Sequence, residues 1–75
     1  MDYQTDLRFG IHLQQLRNSR GLSQTAFAAK LQVEGYDMSR SALAKIESGM
    51  RHVYLDDLIA FRRALNISYD ELMDF

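Results

Sequence analysis

Ser39-Arg40-Ser41-Ala42-Leu43-Ala44-Lys45-Ile46-Glu47-Ser48-Gly49 is the stretch whose reading decides the fold. A serine hydroxyl at its start can accept from the free N–H groups of a first helical turn. The glycine at its end readily takes the left-handed conformation that stops a helix. The spacing predicts a helix over residues 39–48. Successive helical residues are rotated by about 100°, so Ala42, Leu43 and Ile46 share one side. Ser41, Ala44, Lys45 and Ser48 share the other, with Arg40 at its N-terminal margin. Small residues around two long cations suit a helix that approaches a nucleic-acid groove closely. Lysine and arginine donate to guanine O6 and N7, and serine bonds base or phosphate. The same pattern also fits a solvated helix face with two surface cations, and alone it leaves both readings open.

Working outward, the chain keeps helical spacing almost throughout. In residues 6–20, Phe9, Leu13 and Leu16 fall at i, i+4 and i+7, and Gly21 is placed to end the helix. Ser23 caps a helix over 23–33, with Phe27 and Leu31 on one face and Ala28 beside them. Residues 32–38, with Gly35 and Asp37, read as a connection. Leu55, Leu58, Ile59, Phe61, Ala64 and Leu65 predict a helix over 54–65. Asp56 and Asp57 stand in its first turn, where the helix dipole favours acids, and Asn66 can close it. Ser68-Tyr69-Asp70-Glu71 forms a capping box for a short helix over 68–75. The expectation is an all-α, compact five-helix bundle in a single domain, residues 1–75.

Composition narrows the function classes. Seventy-five residues, 47% of them hydrophobic, make one globular domain, and the absence of cysteine excludes disulfides and thiolate metal sites. No apolar run approaches the roughly 18 residues of a membrane span, and no signal peptide is visible. The expected location is cytoplasmic. The net charge of −1 hides a gradient: residues 1–53 carry +2 and residues 54–75 carry −3. An acidic end would be kept away from phosphates.

The ordered set of Arg17-Asn18-Ser19-Arg20-Gly21-Leu22-Ser23-Gln24, Phe27-Ala28 and the 39–49 stretch resembles the phage Cro and repressor type of helix-turn-helix proteins, the Xre family, with its lambda-repressor-like bundle. The resemblance runs from Phe9-Gly10 to Asn66-Ile67-Ser68-Tyr69-Asp70-Glu71-Leu72. It implies that the second helix crosses the DNA backbone and the third enters the major groove. It further implies that Gln24 binds phosphate and braces the third helix, and that Ser39 and Ser48 contact phosphate. Arg40, Ser41 and Lys45 match base-reading positions, and Ala44 faces the groove. Arg51 and Arg20 are expected to add flanking phosphate contacts. Arg17 and Glu47 match the family's structural ion pair. The seven-residue connection over 32–38 exceeds the usual 3–4-residue turn and matches the family's longer-turn members. Met50 stands where many members have lysine.

Other residues that resemble catalytic or ligand chemistry lack the context for it. His12 and His52 have no ligand spacing around them, so no metal is expected. The serines have no nucleophile-elbow setting, and the glycines make no phosphate-cradling loop, so neither an enzyme nor a cofactor is expected. The expected partner is double-stranded DNA at a pseudo-palindromic operator. It would be bound by a homodimer formed through the C-terminal helices and acting as a transcriptional repressor. The alternative is a protein-interaction module, such as an antitoxin, whose acidic C-terminal surface with Tyr54, Tyr69, Met73 and Phe75 meets a partner protein.

Overall fold

A computed structural model describes residues 2–75, and Met1 lies outside the described residues. Four of the five helices in the described residues begin at a residue whose side chain accepts from the first turn. Asp2 Oδ1 accepts from Thr5 N–H at 2.8 Å and starts α1 (Tyr3–Ser19), three residues earlier than apolar spacing places it. Ser23, Ser39 and Ser68 cap α2 (Gln24–Val33), α3 (Arg40–Glu47) and α5 (Tyr69–Leu72) through their hydroxyls. For α4 (Leu55–Leu65), Asp57 accepts instead from the Tyr54 backbone N–H at 2.9 Å. The last helix is one turn, shorter than the 68–75 expected.

Three phenylalanines from three helices meet at the centre. The Phe61 ring lies 6.1 Å from Phe9 and 5.9 Å from Phe27, and all three are fully buried. Leu13, Leu31, Leu43, Ile46 and Leu72 complete the core around them. Burying each such side chain contributes about 1.5–3 kcal/mol. Phe75 turns back onto Phe9, with ring centroids 5.7 Å apart, which ends α5 early. The apolar stripe read for α4 holds except at its start, where Leu55 is 71% exposed. No helix among the described residues is long and apolar enough to cross a membrane.

Two backbone features set the attitude of α3. Gly10 of α1 lies against the last carbonyls of α3, so close that a Cβ there would meet Ile46 O at 2.3 Å and Glu47 O at 2.7 Å. The long connection leaves α2 through Gly35, at φ +88°. That left-handed residue lets Gly35 N–H reach Gln32 O and Tyr36 N–H reach Leu31 O, both at 2.9 Å, closing the helix. Tyr36 and Met38 then fold inward onto the core, and Ser39 starts α3.

Candidate nucleic-acid interface

The site begins with what holds α3. Leu43, Ile46 and Glu47 are its buried residues, so Ser41 and Lys45 stand exposed on the opposite side, with Ala44 half-buried beside them. Glu47 receives Arg17 in a two-pronged pair, Nε to Oε2 at 2.7 Å and Nη2 to Oε1 at 2.9 Å, with both side chains over nine-tenths buried. The hydrogen bonds to Glu47 hold the Arg17 guanidinium above its ordinary pKa. Its remaining nitrogen donates to Leu22 O at 2.7 Å, so one side chain ties the α1–α2 turn to the end of α3.

Gln24 extends this network to the surface. Its Nε2 donates to Glu47 Oε1 at 3.1 Å, and its Oε1 accepts from Arg40 Nη1 at 3.2 Å. The exposed Arg40 is thereby linked through an amide to a buried ion pair, which limits the rotamers its guanidinium samples. Ser39 Oγ is occupied as an acceptor by the Ala42 N–H at 3.0 Å, leaving its hydroxyl proton free to donate. Ser48 Oγ donates to Lys45 O at 3.2 Å and is exposed. The structure therefore brings Gln24, Ser39, Arg40, Ser41, Ala44, Lys45 and Ser48 onto α3 and its two flanks.

Two expected phosphate-binding residues are engaged elsewhere. Arg20 Nη1 donates to Leu65 O at 2.8 Å and Nη2 lies 3.6 Å from Glu71 Oε2. A cation is well placed on the carbonyl end of α4, and the Arg20 side chain stays 41% exposed there. Arg51 Nη1 donates to Asp57 Oδ2 at 2.9 Å and to His52 O at 3.1 Å, so its charge is already balanced within the fold. Phe75, counted in the alternative contact surface, is packed on Phe9 and His12. Tyr54, Tyr69 and Met73 remain exposed.

Sequence reasoning missed the two buried carboxylates behind the site. Asp57, 1% exposed, collects Arg51, the Tyr54 N–H and the Tyr36 hydroxyl. Asp6, 2% exposed, faces His52 Nδ1 at 2.8 Å. Their sequence signal was position in a first helical turn, which equally marks surface acids. Burial and then the Asp57 hydrogen bond push the Tyr36 phenol up to about 12. An unfolded tyrosine ionises near 10. The pair's stabilisation is therefore full below about pH 10 and is lost as pH rises through about 12. Ultraviolet titration of the native protein is expected to show a late phenol that Tyr36→Phe removes. A profile unchanged by the substitution would rule the pair out.

Comparison with known proteins agrees with this geometry. A family model described as helix-turn-helix matches residues 13–72. The chain is similar to the restriction-modification controller protein C.AhdI from Aeromonas hydrophila, known from a high-resolution crystal structure. The TM-score is 0.82 at 33% sequence identity, over 93% of this chain and 94% of that one. No curated protein matches the chain. With the family model covering most of its length and α2, the connection and α3 arranged as described, the chain belongs to the helix-turn-helix family of DNA-binding transcriptional regulators, of the Xre, lambda-repressor-like kind.

Proposed function

We propose that the protein binds duplex DNA sequence-specifically as a homodimer, with α3 in the major groove, and represses transcription in the cytoplasm. The observation that carries this reading is the exposed face of α3, where Arg40 and Lys45 stand among Ser41 and Ala44 on a helix anchored by a buried ion pair. Arg40, Ser41 and Lys45 are the base readers, and Ala44 admits the groove wall. Gln24, Ser39 and Ser48 hold flanking phosphates. The likeness to a controller protein supports a regulatory role. Exposed Tyr54, Leu55, Tyr69 and Met73 on and beside α4 and α5 support dimerisation through that surface. Two α3 helices would then sit about 34 Å apart on a pseudo-palindromic site.

Selection of bound sequences from a random duplex pool tests the reading. A pool that converges on two related half-sites is the expected result. Lys45→Ala and Arg40→Ala should each relax preference at one or two positions per half-site, by about 1–3 kcal/mol. A protein with no preference among duplexes, or variants that keep the wild-type preference, would overturn the assignment. Equal affinity for a half-site and a full site would remove the dimer.

A further inference from the structure

The long connection turns one charged side chain outward between two that turn in. Tyr36 reaches Asp57 on α4 through its hydroxyl, and Met38 is buried against the core. Asp37 stands exposed between them, on a backbone held at both flanks. Its carboxylate takes part in no hydrogen bond or ion pair among the described residues. It borders a surface hollow of about 350 Å³ between α2 and the start of α3. Thr25, Ala29 and Gln32, one stripe of α2, line one side, and Ser39 and Arg40 line the other. The hollow is thus shared with two side chains assigned above to DNA. Gln24 Oε1 holds Arg40 Nη1 at 3.2 Å, and no ion pair joins Arg40 to Asp37, so cation and carboxylate both remain open.

We infer that Asp37 is a base-reading residue that accepts from the N4 amino group of a cytosine, one base pair from the position Arg40 reads. The inference rests on the duplex-binding reading above. A carboxylate on a face that meets a polyanion is repelled by every phosphate near it, and it gains only where it finds a donor. The major groove offers two, cytosine N4 and adenine N6. Adenine sets its N7 acceptor beside N6, and that lone pair repels the second carboxylate oxygen. Cytosine has no acceptor on this edge. Within one guanine–cytosine pair, O6 and N4 are bonded to each other, so side chains reading both would touch. Asp37 and Arg40 stand apart, so they address neighbouring pairs. Lys45 lies more than a turn further along α3 and reads elsewhere, which makes its position an internal control.

The test uses the full chain and selection from a random duplex pool, with Arg40→Ala run in parallel to locate the position Arg40 reads. Wild type is expected to fix a cytosine in one strand of the neighbouring pair. Asp37→Ala should lose that cytosine, its discrimination against the other pairs falling at least about fivefold per half-site. It should keep the preference at the position that Lys45→Ala relaxes. Asp37→Asn retains an acceptor and adds a donor, so adenine should join cytosine there. Asp37 is exposed, so both variants should melt with wild type. An Asp37→Ala protein that keeps the wild-type cytosine overturns the inference. So does one that binds every duplex more tightly with its preference unchanged, the behaviour of a carboxylate that only repels phosphate. A wild type that selects a sequence without such a cytosine refutes this inference alone. One that prefers no duplex removes the duplex-binding reading first, and this inference with it.

Discussion

Glu47→Gln is expected to melt on the order of 20 °C below wild type. Glu47 is the acceptor for two Arg17 nitrogens and for Gln24 Nε2, and its side chain is 3% exposed. Replacing one carboxylate oxygen by an amide presents N–H groups to a guanidinium and leaves the Arg17 charge buried without a counter-ion. Breaking one partner of such a pair costs about 3–5 kcal/mol, a large share of what a domain this small possesses. For a chain of this length each kcal/mol shifts the midpoint by roughly 4–8 °C. Thermal unfolding followed by circular dichroism measures it. A variant melting within a few degrees of wild type would show that the pair is dispensable and that packing alone positions α3.

Gly10→Ala is expected to destabilise by about 2–3 kcal/mol, against the direction of helix propensity. In an isolated helix the change would favour α1 by roughly 1 kcal/mol. Here the added methyl would sit 2.3 Å from Ile46 O and 2.7 Å from Glu47 O, and backbone atoms cannot swing aside as a side chain does. The helices must separate, which loosens the last turn of α3 and strains the Arg17–Glu47 pair that spans the same gap. Denaturant unfolding gives the stability. A Gly10→Ala protein as stable as wild type would mean that α1 and α3 are free to shift, and that the close approach is not what fixes the angle of α3.

Much of this architecture is legible in the sequence because local chemistry dictates it. Ser23, Ser39 and Ser68 each start a helix, and the two faces of α3 follow from spacing alone. What escapes the sequence is settled by distant partners. Nothing local distinguishes buried Asp57 from exposed Asp56 beside it; the difference is Tyr36, brought in from the long connection, and Arg51. Asp6 is buried because His52 and Val53 arrive from the far side of α3. The start of α1 is hidden because residues 2–6 carry no apolar rhythm, only the cap at Asp2. Arg20 and Arg51 have the composition of surface cations, and their engagement depends on where α4 ends and begins.

The anchoring of the long connection bears on how DNA specificity could be altered. Because the Tyr36 hydroxyl reaches Asp57 on α4, the α2–α3 unit is not a portable cassette. Transplanting residues 24–47 from a protein with a short turn would delete Tyr36. Asp57, 1% exposed, would then lack one of its hydrogen-bond partners, at a cost of about 1–3 kcal/mol. A successful graft therefore needs a matching change on α4. Substitutions confined to Ser41, Ala44 and Lys45 leave that anchor untouched, and if these residues read bases as proposed, they are the route by which a chain with this connection can diverge toward new operators while keeping its fold.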